Sequence, residues 1–493
     1  MISRRDLIAG LAAPVARMQA VDDWVPLFDG RSLEGWKPSE NTASWKVLDG
    51  AIATAGPRSH LFYAGPLRNA EFRNFELRLE FMTRPGANSG VFFHTRFQEN
   101  GWPEQGFEVQ INSTHAGEGS YRERKKTGSL YGVRNVYKTL TRDDEWVPLR
   151  IGVRGKNVQI HVRDMLVVDY VEPDAPVQAA KTPGRVLGTG TFALQCHDPG
   201  SKALFRNLMV RPLADDTPPV NTARPVIDDR YRQILELSAQ NYPVIDYHVH
   251  VRGAWTLEDA LKESRETGIG YGIAVNGGRN FPITSDQGLL QHIARMKNVP
   301  AFAAMQAEGR EWVTMFSPEA IAQLDYVFTD AMTWTDDNGK RMRTWLKEEV
   351  GDIADPQKFM DMLVERTVGI LNREPVDIWA NPTYIPDAIS SAYDELWTGE
   401  RIRKVVDAVV RNDVAIELNN RYRIPSAAFI RLAKSMGAKF TFGSNIAERS
   451  AGRIDYGLQM VRECGLRWQD FFVPKADGHK AIQKKGLPKS EAV

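Results

Sequence analysis

The chain has 493 residues, of which 42% are hydrophobic and 25% are charged. This is the composition of a folded globular protein, and the length exceeds what one ordinary hydrophobic core accommodates, so two or more domains are expected. The 63 Lys and Arg residues nearly balance the 62 Asp and Glu residues, so no overall field attracts nucleic acid or an anionic membrane surface. Nucleic acid is therefore not expected as a partner.

Residues 1–20 have the pattern of a twin-arginine export signal. Arg4 and Arg5 precede a short apolar run, and cleavage is expected near Ala20. The run is too short to span a bilayer, and the rest of the chain offers no stretch of roughly 18 uninterrupted apolar residues. We expect a periplasmic or secreted protein without an integral membrane segment. The alternative is an ordinary helix start that carries two arginines.

Residues 21–213 show the pattern of an all-β domain. Short runs of alternating apolar and polar residues are separated by Gly, Pro, Asn and Asp, and no long helical period interrupts them. From Phe75 to Phe81 the alternation is unbroken, which places one face of a strand on a core and the other in water. Two packed antiparallel sheets are the expected architecture.

The same alternation gathers polar side chains on the strand faces that point away from the core. These are a carboxylate, two imidazoles, a guanidinium and several amides: Glu108, Gln110 and Asn112; Asn88, His94 and Arg96; Gln195 and His197. If the three strands are neighbours, these groups share one concave surface. Such a surface could bind a sugar, and either Glu108 or His197 could act as a general base.

Five phrases in this region resemble the 3-keto-disaccharide hydrolase family: Leu27 to Trp36, Trp45 to Val47, Asn88 to Phe93, Gly106 to Ile111 and Phe205 to Asn207. The resemblance covers about Trp24 to Leu213, and it implies a jelly-roll or concanavalin-like sandwich that acts on 3-keto-glycosides. We expect catalytic and substrate-binding roles for two sets of residues: Glu108, His197 and Arg96 in catalysis, and His94, Gln110, Asn88, Tyr131 and Gln195 in substrate binding.

The ketone of a 3-keto-glycoside makes its glycosidic bond easy to cleave by elimination. The ketone acidifies the C2 proton, and the glycosidic oxygen at C1 lies β to the resulting enolate, so elimination proceeds without an oxocarbenium ion. A general base removes the proton, and hydrogen-bond donors or a divalent metal stabilise the enolate before water adds. The resemblance implies such a metal in some members. The alternative is a non-catalytic sandwich that only binds a glycan.

The second half of the chain changes to alternating strands and helices. Residues 214–240 are a Pro-rich linker with a short helix, residues 241–475 carry the alternation, and residues 476–493 are a polar tail. Strand-like runs end near seven positions: Tyr247, Val275, Met305, Phe328, Trp379, Leu418 and Phe442. Seven such units predict a (β/α)7 barrel of parallel strands.

Two histidines mark the end of the first predicted barrel strand. Alternation places His248 and His250 on one face at the mouth of the barrel, a spacing typical of metal ligands. Other strand ends supply Glu308 and Glu417, with Asp330 nearby. We therefore expect one or two divalent metal ions here, with Zn, Mn, Mg and Ca all compatible with these ligands.

The order of these phrases resembles the polymerase-and-histidinol-phosphatase family of metal-dependent phosphoesterases, from about Pro243 to Pro474. The chain departs from it at Asn381, where the family has a histidine, and at Asn445 to Ala447, where it has Asp-x-His. Two imidazoles and one carboxylate are missing, so a trinuclear metal cluster is not expected. Two alternatives follow: a metal-dependent ester hydrolase beside a glycan-binding sandwich, and a barrel that supports the sandwich and binds nothing. Homo-oligomerisation stays open.

Overall fold

The computed structural model describes residues 23–119, 121–336, 340–446 and 451–488. The predicted export signal lies outside these ranges, as do Ala447 and the last residues of the predicted polar tail. Within the described ranges, no helix combines the length and the apolar character that a membrane span requires.

The N-terminal part is a sandwich of two antiparallel sheets, as predicted. Its strands are β1 (Val25–Pro26), β2 (Trp36–Pro38), β3 (Trp45–Leu48), β4 (Ala51–Thr54), β5 (Ser59–Tyr63), β6 (Phe75–Thr83), β7 (Asn88–Thr95), β8 (Phe107–Asn112), β9 (Val147–Arg154), β10 (Asn157–Val162), β11 (Met165–Val171), β12 (Thr191–Cys196) and β13 (Ala203–Pro212). The larger sheet has the order β11-β10-β9-β6-β13-β4-β3, with β1 beside β13, and the smaller sheet has the order β2-β5-β12-β7-β8.

The two sheets differ in how their outer faces meet solvent. In β6, Phe75, Leu77, Leu79 and Phe81 are buried, while the residues between them are partly or fully exposed. Strands β7, β8 and β12 of the smaller sheet are instead buried along both faces, because the long connection between β8 and β9 covers part of the outer face. Polar residues of this sheet are therefore enclosed although they point away from the core.

The C-terminal part contains a closed barrel of seven parallel strands. They are β14 (Ile245–Val249), β15 (Gly270–Gly277), β16 (Phe302–Ala307), β17 (Tyr326–Thr329), β20 (Ile378–Trp379), β21 (Ala415–Asn419) and β22 (Lys439–Gly443). A separate hairpin of β18 (Thr333–Thr335) and β19 (Arg341–Arg343) follows β17. All seven predicted strand runs lie in barrel strands.

Helices occupy the connections, although the connections are not uniform. The helices are α1 (Asp229–Ala239), α2 (Leu257–Thr267), α3 (Asp286–Met296), α4 (Pro318–Ile321), α5 (Lys347–Val350), α6 (Pro356–Arg373), α7 (Tyr393–Leu396), α8 (Gly399–Arg411), α9 (Ala427–Ser435), α10 (Asp455–Glu463) and α11 (Ala481–Lys485). Short 3-10 helices lie at Thr42–Ser44, Leu67–Ala70, Glu311–Thr314, Asp387–Ala392 and Trp468–Asp470. Only one turn of α-helix follows β16, and a hairpin precedes two helices after β17, so the repeat is less regular than a strict (β/α)7 pattern.

Helix α1 joins the two parts of the molecule. Its Leu235 and Ala239 belong to the hydrophobic core of the sandwich. Its Ile234 and Leu237 belong to the core that surrounds the barrel. Because one short helix contributes to both cores, the sandwich and the barrel pack against each other through it.

Candidate functional site

A cleft of about 560 Å³ opens on the outer face of the smaller sheet. Strands β7, β8 and β12 form its floor, and the β8–β9 connection and residues 181–185 form its walls. The lining residues that matter below are Asn88, Trp102, Glu108, Gln110, Tyr121, Glu123, Tyr131, Arg185, Gln195 and His197.

Glu108 is the buried carboxylate at the centre of the cleft floor. Its Oε1 accepts a hydrogen bond of 3.0 Å from Gln195 Nε2, and its Oε2 lies 3.8 Å from a guanidinium nitrogen of Arg185. Burial raises the pKa of Glu108 to about 7, against the opposing charge of Arg185. A carboxyl group with this pKa exchanges protons readily at neutral pH, which suits general acid–base chemistry.

A glycine of the neighbouring strand makes room for this carboxylate. Gly90 on β7 pairs with Gln110 on β8. A Cβ atom on Gly90 would lie 2.7 Å from Glu108 Oε1, closer than two such atoms can approach. The absence of a side chain at Gly90 therefore sets the position of Glu108.

Arg185 faces Glu108 across the cleft. One of its terminal nitrogens donates to the Gly106 carbonyl oxygen at 3.0 Å, while its Nε is buried without a hydrogen-bond partner. An unsatisfied buried N–H is costly, so a ligand oxygen that accepts from it would be stabilised.

A second carboxylate, Glu123, approaches from the β8–β9 connection. The hydroxyl groups of Tyr121 and Tyr131 both donate to its Oε2, at 2.6 and 3.0 Å. The Lys125 ammonium lies 3.9 Å from its Oε1. Two phenols and a cation therefore hold this carboxylate in the wall of the cleft.

His197 lies at the mouth of the cleft and is oriented by its neighbour. The Nδ1 atom is 2.6 Å from Asp198 Oδ2, and Asp198 is fixed in turn by the backbone N–H groups of Gly200 and Ser201. The imidazole ring lies 5.0 Å from the indole of Trp102, which is 43% exposed. A carboxylate-oriented imidazole beside an exposed aromatic ring suits proton transfer to a stacked ligand.

Six of the eight predicted sandwich residues line this cleft: Glu108, His197, Gln110, Asn88, Tyr131 and Gln195. The side-chain amides of Gln110 and Asn88 are hydrogen-bonded to each other at 2.9 Å. Asn112 instead donates to the carbonyl oxygens of His115 and Lys125, so it holds the β8–β9 connection in place.

His94 and Arg96 do not line the cleft that they were predicted to share, because the alternation breaks before these residues. The register of β7 against β12 shifts between Phe92 and Thr95. These two residues are three positions apart in β7, whereas their partners in β12 are two positions apart, and His94 has a φ of 56°. Such a bulge reverses the faces beyond it. The His94 ring packs against Phe75 and Phe93, and Arg96 is exposed in an ion pair with Glu71.

Four functional groups that line the cleft were not predicted from the sequence: Trp102, Tyr121, Glu123 and Arg185. All four lie in irregular segments, where no period indicates which way a side chain points. The charged run from Arg122 to Lys126 was visible in the sequence, but only the folded connection shows that its members face different ways.

The five predicted metal ligands of the barrel are all buried, and each lies in a barrel strand or directly after one. Nδ1 of His248 is 2.7 Å from Glu417 Oε1, and Nδ1 of His250 donates to the Ala274 carbonyl oxygen at 3.1 Å. The Nε2 atoms of the two rings both point at Gln306 Oε1, at 3.2 and 2.9 Å. Histidine ligands of metals commonly donate their other N–H to a carboxylate or a carbonyl in this way.

Acidic groups dominate the surroundings of these rings. Burial, followed by repulsion from Asp330, raises the pKa of Glu308 to about 7. Burial raises the pKa of Asp330 as well. Burial alone would lower the pKa of His248, but Glu417, Asp246 and Gln306 together outweigh burial and raise this pKa. The donor types therefore fit a divalent cation.

The ligands are not gathered into a ready-made metal centre. Among the residues that the structure describes, no three His, Cys, Asp or Glu side chains converge as a potential metal site. Asn381 and Asn445, which replace expected ligands, are hydrogen-bonded to each other, and Asn419 also donates to Asn381. The five-ligand metal site stays a prediction.

Comparison with known proteins identifies the sandwich. Residues 23–211 match the 3-keto-alpha-glucoside-1,2-lyase-like domain of the 3-keto-disaccharide hydrolase family. A curated 3-keto-disaccharide hydrolase from Bacteroides thetaiotaomicron is 32% identical over 79 residues, which are 15% of this chain and 27% of the relative. The aligned part thus spans about a quarter of that relative's length.

Two solved structures each align with somewhat more than a third of the chain. A Parabacteroides distasonis protein described as a glycosyl hydrolase has 26% identity, covers 38% of this chain and 99% of its own, and gives a TM-score of 0.32. The carbohydrate-binding module CBM66 of Bacillus subtilis has 15% identity, covers 36% of this chain and 95% of its own, and gives a TM-score of 0.26. The family match ends before the barrel, whose kinship with the phosphoesterases stays a prediction. The N-terminal domain of this chain is therefore similar to the 3-keto-disaccharide hydrolase family over residues 23–211.

Proposed function

We propose that the sandwich cleft cleaves 3-keto-glycosides by elimination and hydration. The observation that carries this proposal is Glu108, a buried carboxyl group whose pKa is raised to about 7 on the floor of an open cleft. Burial raises the basicity of this carboxylate, which strengthens it as a general base near neutral pH.

In the first step, ionised Glu108 removes the proton from C2 of the 3-keto-sugar. The C–H electron pair becomes the enolate of the C3 ketone. Arg185, with its unpartnered Nε and its guanidinium 3.8 Å from Glu108, stabilises the enolate oxygen. The Gln195 amide holds Glu108 toward the ligand.

In the second step the enolate expels the glycosidic oxygen from C1, which leaves a double bond between C1 and C2. The departing oxygen takes a proton from His197, whose ring is oriented by Asp198. Water then adds its hydroxyl group to C1 while His197 takes the released proton, and Glu108 returns its proton to C2. The net reaction is hydrolysis of the glycoside.

The barrel histidines form a second candidate site, which would bind a divalent cation. The Nε2 atoms of His248 and His250 both face the Gln306 amide oxygen, and buried carboxylates surround the two rings. Bound there, a cation would act as a Lewis acid for an ester or phosphoester. Under this candidate function the sandwich would deliver a glycan to the barrel.

Product release distinguishes these functions. Purified protein is incubated with both anomers of 4-nitrophenyl 3-keto-glucoside and with 4-nitrophenyl phosphate, each with and without chelator. We expect 4-nitrophenol from a ketoside only, and a loss of at least 100-fold in the Glu108→Gln variant. Glu104→Gln, which changes an exposed carboxylate at the cleft rim, is the matched control and should retain activity.

Other outcomes assign other functions. Phosphate release that chelator abolishes favours the barrel hydrolase, while glycan binding without release of either product favours a non-catalytic receptor. Metal analysis of the wild type against a His248→Ala/His250→Ala variant tests the barrel cation, and equal metal contents would refute it.

We propose that the protein is exported by the twin-arginine route. Arg4 and Arg5 support this proposal. Replacing both arginines with lysine should retain the precursor in the cytoplasm, and N-terminal sequencing of the exported wild type should locate the cleavage. Export of the lysine variant at the wild-type level would contradict the route.

A further inference from the structure

Three cations of the β8–β9 connection dock on the ends of three consecutive helices. The Lys125 ammonium donates to the Gln240 carbonyl oxygen after α1, at 3.1 Å. The Arg134 guanidinium donates to the carbonyl oxygens of residues 265 and 266 in the last turn of α2, at 3.2 and 3.1 Å. The Lys138 ammonium donates to the carbonyl oxygens of residues 296 and 301 around the end of α3, both at 2.9 Å. Cations at helix C-termini satisfy orphan carbonyl groups and complement the helix dipole.

Lys125 differs from the other two because it also contacts two residues of the cleft wall, Glu123 and Tyr131. Its ammonium lies 3.9 Å from Glu123 Oε1 and 4.5 Å from the centre of the Tyr131 ring. Its backbone N–H donates to the same carboxylate oxygen at 2.8 Å. The Lys125 side chain therefore contacts both the segment that leads into the barrel and the wall of the cleft.

The Lys125 ammonium is almost fully enclosed, with a side chain that is 2% exposed. Burial of a charge is costly unless hydrogen bonds and an opposite charge offset it. The Gln240 carbonyl and Asn241 Oδ1, each 3.1 Å away, supply the hydrogen bonds, and Glu123 supplies the charge. Residues 240 and 241 thereby fix the ammonium, and the ammonium fixes Glu123.

We propose that Lys125 is a positioning residue through which the segment leading into the barrel holds Glu123 and Tyr131 in the wall of the sandwich cleft. This inference rests on the proposed cleavage of 3-keto-glycosides. It gives the second domain a role in the first domain's chemistry that requires no ligand in the barrel.

The charged surroundings of Glu108 give the proposal a measurable signature. The groups that face Glu108 are Arg185 from the segment before β12, Gln195 from β12, and Tyr121, Glu123, Lys125 and Tyr131 from the β8–β9 connection. Arg185 and Lys125 favour the ionised carboxylate, whereas Glu123 disfavours it. Loss of the Lys125 charge removes one cation and leaves Glu123 uncompensated, so both changes raise the pKa of Glu108.

The test compares Lys125→Met with Lys138→Met in the full-length protein. Both variants remove an ammonium from a helix end, but Lys138 pairs with Asp325 of the barrel, whereas Lys125 pairs with Glu123 of the cleft wall. We expect Lys125→Met to lower kcat/KM for the 3-keto-glucoside at least tenfold. The acid limb of its pH–rate profile should shift upward by at least half a pH unit. Lys138→Met should stay within twofold of wild type, with an unmoved limb.

A second arm measures the link without activity. Urea unfolding of Lys125→Met, Glu123→Gln and the double variant gives the coupling between the two residues. We expect a coupling of at least fivefold in the unfolding constant. If the wild-type protein does not cleave the ketoside, the proposed function is wrong. The unfolding of the three variants would still show whether Lys125 and Glu123 are coupled.

Equal kinetics of Lys125→Met and Lys138→Met, or strictly additive unfolding, would overturn the proposal. If Lys125→Met does not fold, Asn241→Ala replaces it, since this change removes one oxygen partner and leaves the lysine in place. The acid limb of the pH–rate profile of Asn241→Ala should shift upward by a smaller amount than that of Lys125→Met. An acid limb at the wild-type position would also overturn the proposal.

Discussion

The cleft of the sandwich and the centre of the barrel share one structural feature, but the carboxylate that it accommodates has different surroundings in each. In each, a buried glutamate lies over a glycine of the neighbouring strand. A Cβ atom on Gly90 would lie 2.7 Å from Glu108 Oε1, and one on Gly443 would lie 1.9 Å from Glu417 Oε1. Both glycines give a carboxylate the space of a missing side chain.

The surroundings of the two carboxylates differ. Glu108 faces an open cleft, and its cationic neighbour Arg185 lies 3.8 Å away, beyond hydrogen-bond distance. Glu417 is closed in by three hydrogen bonds, from His248, Asn419 and the backbone of Asn381. A loosely paired carboxylate is available for chemistry, whereas a saturated one orients its partners. The following predictions test this contrast.

Removal of the barrel carboxylate charge should cause the largest effect. Glu417→Gln breaks a buried pair whose side chains are each 2% exposed, and we expect a loss of about 3 kcal/mol in the free energy of unfolding. Asp407→Asn, in an exposed pair with Arg411 on α8, is the control and should cost less than about 1 kcal/mol. Urea unfolding measures both variants, and equal losses would refute the orienting role of Glu417.

Removal of the cleft carboxylate charge should instead stabilise the protein above neutral pH. The pKa of Glu108 rises from 4.5 to about 7 on folding, so the folded state keeps a proton that the unfolded state has lost. Wild-type stability therefore falls between pH 4.5 and pH 7, by up to about 3 kcal/mol from this group, and the cost stays constant above pH 7.

Urea unfolding from pH 4.5 to pH 8 checks this sign. Glu108→Gln should show a flatter profile than wild type and exceed it in stability at pH 8. Glu104→Gln should follow wild type, because its carboxylate is exposed. Parallel profiles for all three proteins would show that Glu108 does not titrate near neutral pH in the folded state.

An alanine at position 90 should separate activity from stability. The atom that the new Cβ would displace is the far end of the flexible Glu108 side chain, so the fold can adjust while the carboxylate moves. We expect Gly90→Ala to lose about 100-fold in kcat/KM, or about 2.7 kcal/mol of transition-state stabilisation, with little change in unfolding.

Gly152→Ala in β9 is the matched control for this glycine. Its Cβ would meet nothing nearer than Glu76 at 4.0 Å. This variant should retain wild-type kinetics. If Gly90→Ala were equally active, the position of Glu108 would not matter to the reaction.

These contrasts show how far sequence periodicity reaches. Alternation in β8 correctly predicted that Glu108 and Gln110 share a face, and the apolar runs marked every barrel strand. The same rule failed at His94 because one extra residue in β7 reverses the faces, and nothing in the composition marks that bulge.

Sequence periodicity could not predict which residues form the walls of the cleft. Arg185 and Glu123 come from irregular segments whose course is set by packing against the sheet and the barrel. Adjacent residues there point apart, since Glu123 bonds to two tyrosines in the cleft while the Arg124 guanidinium lies over the Trp468 ring. Only tertiary structure assigns such residues to a site.

The smallest effect should come from the aromatic rim, and it distinguishes the two regions by substrate binding. Trp102 exposes 43% of its surface beside His197, so the apolar face of a sugar ring can stack on it. Trp102→Ala should raise KM for the ketoside about 5- to 20-fold, which is about 1–2 kcal/mol, with kcat within about twofold of wild type. The barrel counterpart is Tyr422→Ala, which removes half of an aromatic pair with Tyr384. Because neither tyrosine lines the cleft, KM should not change. A larger rise in KM in Tyr422→Ala than in Trp102→Ala would place the sugar at the barrel.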